Sequence, residues 1–261
     1  MCYDISFTVS MKELSDYFPD LLFDGQLEME FDGTHIMGHA YGKHPIIYRN
    51  REDQRLHCVM MEWGCIPFYV KDEKLFLRQR ASMLNARSER VLEDEKSYWY
   101  KIRNRRCLIP VTGVYEHRAI KGWKKKVPYF IKLKEQSMFF IPGLYSVVEL
   151  PDTSTGEMIK RMTYTLITRD ANDVMLKIHN NGDNAGRMPL FLPFELSMEF
   201  LTDDLPTSRY KEILSYEMPS DSLDYYPVYT IRSPKGRPDD RAKNEYWEWE
   251  KLPALGEANP E

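Results

Sequence analysis

The sequence predicts an α+β fold, a single domain built on a curved, barrel-like, mostly antiparallel sheet with helices packed outside it. Short β-branched and aromatic runs recur along the chain, helical spacing is scarcer, and no linker, repeat or low-complexity tract appears before about residue 232. The runs Val59–Cys65, Arg106–Tyr115, Val127–Leu133, Phe139–Val148, Thr163–Thr168 and Tyr226–Ile231 predict strands. Helical spacing predicts helices over Lys71–Leu84, Glu93–Arg103, Arg169–Leu176, Pro193–Leu201 and Ser208–Tyr216, with Pro193 at a permitted first-turn position. Many short strands with few helices suit a curled sheet covered from outside. After Arg232 the chain turns polar, so residues 1–231 form the expected domain and 232–261 a loose tail, which Trp247 and Trp249 could dock.

Composition narrows the function. With 43% apolar and 13% aromatic residues, the 261-residue chain can bury a sizeable core. Runs such as Met138–Ile141 are far shorter than the roughly 20 residues needed to cross a bilayer, so no membrane partner is expected. Met-Cys-Tyr-Asp does not read as a secretory signal, and Cys2, Cys58, Cys65 and Cys107 lack both C-x-x-C spacing and disulfide density. A reduced, cytoplasmic setting is the expectation. A net charge of −4 argues against a protein that coats DNA through an overall basic surface. Any nucleic-acid contact must be local, and nine Lys and Arg residues between Lys101 and Lys126, countered there only by Glu116, supply a candidate patch. A solvated hairpin would show the same charges.

Cys2 carries the most distinctive chemistry. Once Met1 is removed, its α-amine and thiol form a 1,2-aminothiol: the amine condenses with an aldehyde to an imine, and the sulfur closes onto the imine carbon as a five-membered thiazolidine. Ring closure is intramolecular and therefore fast. Both groups have ordinary pKa values near neutrality, roughly 8 for the amine and about 8.5 for the thiol. A cysteine that merely follows a start codon in a frayed terminus is the plain alternative.

Several segments, in order, favour the chemical reading. Met1-Cys2, Trp63-Gly64-Cys65-Ile66-Pro67, Asn85-Ala86-Arg87-Ser88-Glu89, Arg105-Arg106-Cys107-Leu108-Ile109-Pro110, Gly113-Val114-Tyr115-Glu116, Ile178-His179 and Arg187-Met188-Pro189 together resemble the SOS response-associated peptidase (SRAP) family of abasic-site processing proteins. The resemblance runs to about Pro227-Val228. It implies covalent capture of the ring-opened sugar of an abasic site in single-stranded DNA as a thiazolidine, with self-processing of Met1 and slow reversal of the crosslink. It also implies roles for particular residues. Asn85 would hold the α-amine or the opened sugar. Glu116, its pKa raised in a partly dry pocket, would protonate the sugar oxygen, and His179 would shuttle protons. Arg87 and Arg187 match phosphate-contacting positions, Trp63 and Pro67 lie in the segment expected near the DNA, and Arg105 and Arg106 would extend the basic surface. For Trp63 a core position is an equal alternative, and one of Arg105 and Arg106 could instead pair with Glu89.

The chain also departs from the family pattern. Asp4 stands where many members carry arginine, His117 where tryptophan commonly follows the glutamate, and Tyr229–Arg232 replace an Asn-containing stretch. Residues 180–186 form an inserted loop that could displace His179 or Arg187. Two other functions use the same residues: a thiol autopeptidase with Cys2 as N-terminal nucleophile, and a non-covalent module for single-stranded or modified DNA. A zinc site from His35, His39, His44 or His57 is disfavoured, because Gly33, Gly38 and Gly42 interrupt any helix and no cysteine pair completes the shell. No cofactor or metal is expected, and the absence of heptads makes a monomer the expectation.

Overall fold

The computed structural model describes residues 2–25, 33–152, 154–233 and 236–260. Met1, whose loss the sequence reading expects, lies outside the described residues. The strands are β1 (Asp4–Ser6), β2 (Leu22–Phe23), β3 (Ile36–Met37), β4 (Lys43–Arg49), β5 (Leu56–Trp63), β6 (Asn85–Arg87), β7 (Arg106–Val111), β8 (Gly113–Arg118), β9 (Val127–Leu133), β10 (Phe139–Pro151), β11 (Met158–Asp170), β12 (Arg187–Pro189) and β13 (Leu223–Pro227). The helices are α1 (Met11–Tyr17), α2 (Glu73–Arg80), α3 (Glu89–Leu92), α4 (Tyr98–Lys101), α5 (Asp173–Ile178), α6 (Phe194–Phe200) and α7 (Thr207–Leu214).

The α+β expectation holds. Strands β11, β10, β7, β4 and β5 pair in that order, and parallel pairing of β5 with β11 at Thr163↔Glu62 and Tyr164↔Trp63 closes them into a five-stranded barrel. Closure abolishes the open edges of this sheet. A second, antiparallel sheet of order β13-β9-β8-β1-β3 packs beside it. No helix of the described residues is long and apolar enough to cross a membrane.

The run read as one strand over Arg106–Tyr115 is two. It breaks at Thr112, whose N–H donates to Ser6 O at 2.7 Å, and the chain passes from barrel to second sheet. Gly113 permits the crossing, because a Cβ there would lie 2.1 Å from the Phe130 ring. The site residues follow from this junction. β8 carries Glu116, β1 pairs with β8 at Ile5↔Val114, and β6 and β12 both lie on β11, through Leu166↔Asn85 and Asp170↔Arg187.

Of the helix expected over Glu93–Arg103 only the single turn α4 forms, started by a Ser97 side-chain cap on the Trp99 N–H; α3 ends before it, at Leu92. The stretch read as helical from Arg169 continues β11 to Asp170, and Asn172 starts α5 by capping the Met175 N–H.

The C-terminal segment is docked, not loose. The buried Arg118 guanidinium donates to the carbonyls of Pro253 (2.9 Å), Ala254 (2.7 Å) and Glu257 (2.6 Å), and the Trp249 indole N–H donates to Val228 O at 3.0 Å. Trp247 packs edge-on against Tyr229. An irregular chain segment thus satisfies its carbonyls on a buried cation.

Candidate active site

Cys2 is completely buried, and the Asn85 amide donates to its carbonyl oxygen at 2.8 Å. Thus β6, reached through Trp63 and α2 in sequence, is brought onto the N-terminus by its pairing with β11. The Asn85 Oδ1 has no hydrogen-bond partner among the described residues. The Cys2 thiol donates weakly to Asp4 O at 3.5 Å, and burial followed by the Glu116 charge pushes its pKa well up, so the sulfur rests protonated.

Beside Cys2 opens a cleft of about 370 Å³, walled by Tyr3, Asp4, Glu116, His117 and His179, with Lys126, Arg232 and the 181–184 loop at its rim. Glu116 is 5% exposed, and burial pushes its pKa up to about 8. Its Oε1 lacks a hydrogen-bond partner among the described residues. His179 caps the C-terminus of α5, and burial lowers its pKa to about 4. Its Nδ1 lies 2.8 Å from the Arg187 carbonyl. A carbonyl only accepts, so Nδ1 carries the proton and Nε2 of the neutral ring is the acceptor. That nitrogen lies 3.9 Å from Glu116 Oε2, near but beyond hydrogen-bond length. A protonated carboxyl and a neutral imidazole therefore face one cleft at pH 7.

The inserted loop leaves this geometry intact. The Asn180 side chain accepts from Ala119 N–H at 2.9 Å and donates to Ala119 O at 3.0 Å, while Gly186 N–H donates to His179 O at 3.0 Å. The loop is pinned at both ends, so His179 and Arg187 stay joined.

The remaining residues separate. Arg87 is exposed and reaches Asn184 Oδ1 at 3.4 Å, beside the cleft. Pro67 is buried. Trp63, expected either near the DNA or in the core, is a core residue with 1% exposure: its indole N–H is committed to Leu84 O at 3.0 Å and its ring stacks on Tyr164. The exposed aromatic faces of this segment belong to Phe68 (46%) and Tyr69 (57%). Arg187 does not offer a free fork to phosphate. It is buried, binding Glu89 bidentately at 2.9 and 3.0 Å, Asp170 at 2.6 Å and Thr168 O at 2.9 Å. Glu89 therefore pairs with Arg187, not with Arg105 or Arg106. Arg106 does not extend a basic surface either; it is buried over Tyr210 and donates to the carbonyls of Thr202 and Asp203. Arg105 is half-buried. Of the basic run, Lys121, Lys124, Lys125 and Lys126 are exposed, and Lys126 reaches the cleft rim.

The four candidate zinc histidines are dispersed: His35 binds Asp4, His44 binds Pro110 O, His57 sits between Asp24 and Asp53, and His39 packs on Tyr3. Sequence reasoning gave Lys126 only as part of the basic patch, and treated His117 and Arg232 only as departures from the family pattern, not as cleft residues. Nothing local marks them, because strand pairing and the tail bring them together.

The family model "SOS response associated peptidase (SRAP)" matches residues 1–231. The chain belongs to the SRAP family. It is 31% identical over 176 residues to "Abasic site processing protein YoaM" of Bacillus subtilis, covering 67% of this chain and 70% of that protein. It is 25% identical over 191 residues to "Abasic site processing protein HMCES" of Gallus gallus, covering 66% of this chain and 52% of that one. A crystal structure of a Bacteroides thetaiotaomicron protein superposes with a TM-score of 0.78 at 25% identity, covering 95% of this chain and all of the other. The overall fold is thus shared with a protein only 25% identical in sequence.

Proposed function

We propose that this SRAP protein processes abasic sites in DNA by covalent capture: the chain that begins at Cys2, after loss of Met1, forms a thiazolidine with the ring-opened sugar in a single strand. The observation that carries this reading is that Asn85 holds the Cys2 carbonyl while a protonated Glu116 and a neutral His179 line one cleft together with Tyr3, the next residue. The names of the relatives support abasic DNA as the target.

The Cys2 amine attacks the sugar aldehyde carbon while the Glu116 carboxyl protonates its oxygen, and neutral His179 accepts the proton lost by nitrogen. Water leaves, giving the imine. The sulfur then adds to the imine carbon, and the thiol proton ends on nitrogen; one water is released overall. Asn85 holds the Cys2 backbone so that amine and sulfur meet the same carbon, which is a proximity effect. Arg87 and the lysines of 121–126 supply backbone-phosphate contacts, and Phe68 and Tyr69 supply stacking faces for bases.

The test mixes protein lacking Met1 with a single strand carrying one abasic site and resolves the products on denaturing gels. A heat-stable adduct, lost in Cys2→Ala and in protein retaining Met1, is expected. Equal behaviour of wild type and Cys2→Ala, or adducts bearing Met1, would overturn the reading. Salt-sensitive binding without any adduct would instead favour a non-covalent DNA-binding module.

A further inference from the structure

The cleft wall contains a charged pair that the chemistry above does not use. Asp4 opens β1, two residues from Cys2, and is 2% exposed. Its Oδ1 accepts from His35 Nε2 at 2.8 Å and from Arg232 Nε at 3.2 Å, while Oδ2 accepts from Arg232 Nη2. Arg232 arrives from the far end of the domain, just after buried Ile231. The pair is lopsided: the Asp4 side chain is 3% exposed and that of Arg232 is 44%. Taking a carboxylate out of water is costly, and a half-open ion pair recovers only part of that cost as stability. What the arrangement does achieve is orientation. A two-point grip through Nε and Nη2 fixes the plane of the guanidinium and leaves the Nη1 donors outside the grip, on the wall of a cleft shared with Glu116, His117, Lys126 and His179. Burial favours the neutral form of Asp4, but the His35 and Arg232 hydrogen bonds outweigh it and hold the pKa below its ordinary value, so the brace stays ionised at neutral pH.

We infer that Arg232 holds a phosphodiester adjoining the reacting sugar, and that Asp4 with His35 are positioning residues that aim its guanidinium. The inference rests on the proposed capture of an abasic strand and names which part of the chain supplies the phosphate contact nearest Cys2. Position 4 contributes an anion, and the cation it orients comes from a residue 228 positions away in sequence. Lys126 is the other cation of this cleft, and Asp183 on the inserted loop is the other carboxylate at its rim.

The experiment uses protein lacking Met1 and single strands containing a tetrahydrofuran abasic analogue, which has no aldehyde and reports binding alone by fluorescence anisotropy. In two further strands the linkage on one or the other side of the analogue is an uncharged methylphosphonate. Wild type is expected to bind about tenfold more weakly when one particular linkage is neutralised, and Arg232→Gln to bind the all-phosphate strand about tenfold more weakly with no further loss from that replacement. The slope of log affinity against log salt should fall by about 0.7 in the variant, as for one lost phosphate contact on a single strand. Asp4→Asn should retain an intermediate affinity with weakened discrimination between the strands, an effect that lost stability alone does not produce. Because Arg232→Gln leaves a buried carboxylate without its partner, Asp4→Asn/Arg232→Gln removes both charges and should match the single Arg232 variant in binding. The inference fails if Arg232→Gln binds like wild type or still responds to the same methylphosphonate. Absence of adducts from wild type on an authentic abasic strand would sink the capture reading, and the binding series judges Arg232 independently of it.

Discussion

Replacing Glu116 by glutamine should stabilise the folded protein while disabling the proposed capture, and the stabilisation should grow with pH. The carboxyl is wholly buried, and burial lifts its pKa from the ordinary 4.5 to about 8. Between those values the folded chain keeps a proton that the unfolded chain has released. Stability contributed by the neutral carboxyl is therefore complete below 4.5 and is lost, at about 1.4 kcal/mol per pH unit, as the pH rises to about 8. The loss amounts to about 3 kcal/mol at pH 7 and levels off near about 5 kcal/mol in alkali. Glutamine has the shape of the protonated acid and does not titrate. Any constant cost of its extra N–H donors cancels when one variant is compared with wild type at several pH values. Urea unfolding followed by circular dichroism at pH 5.5, 7 and 8.5 should show the stability difference widening by about 3 kcal/mol or more across the series, with unchanged denaturant slope. Capture of an abasic strand should meanwhile fall about a hundredfold or more, as expected when a general acid is removed. Parallel pH–stability curves for the two proteins would refute the account, because Glu116 would then be ionised in the fold and unable to donate.

Asn85→Ala removes the donor to the Cys2 carbonyl and should slow single-turnover capture about tenfold or more, at a stability cost of about 1 kcal/mol measured by urea unfolding. Arg87→Gln should lower the salt slope of single-strand binding by about 0.7 in anisotropy titrations, whereas Arg187→Met should leave that slope unchanged and cost about 1–3 kcal/mol of stability, because its guanidinium is committed to Glu89, Asp170 and Thr168. Arg118→Met deletes the donors that hold the tail carbonyls, so limited proteolysis should remove residues beyond 236 much faster than in wild type while the two sheets stay resistant.

The sheet content was legible because β9 and β10 are rich in aromatic and β-branched residues, and Val127–Leu133 is recovered to the residue. What periodicity could not reveal is a strand that changes sheets. Arg106 to Tyr115 reads continuously, and the break at Thr112 is dictated by Ser6 and Phe130, which are remote in sequence. The site divides in the same way. Cys2, Asn85, Glu116 and His179 were named from chemistry and resemblance, and the fold gathers them. The arginines were harder, since the same guanidinium serves a phosphate at the surface or a carbonyl in the interior. Arg106, Arg118 and Arg187 all proved to be interior cations, while Arg232 sat in a stretch read as the start of a tail.

Burial has opposite effects on the two proton carriers, and their combination defines the cleft. In water a glutamic acid is the stronger acid and a histidine the weaker; here the order is reversed, with the carboxyl at about 8 and the imidazole at about 4. An ion pair would instead have drawn the two values apart in the ordinary order, and the Arg187 carbonyl, by accepting a hydrogen bond from Nδ1–H, leaves Nε2 as the unprotonated nitrogen on the side of the carboxyl. Between pH 4 and 8 both groups are uncharged, so donor and acceptor are available together without attracting or repelling a strand. Asp4 and Asp183 are then balanced by Arg232 and Lys126 across the same opening. Ionising Glu116 tips that balance negative beside an incoming phosphate. Above about pH 8, binding of the abasic strand and the chemical step should therefore weaken together, and a Glu116→Gln protein, already poor in chemistry, should keep its binding there.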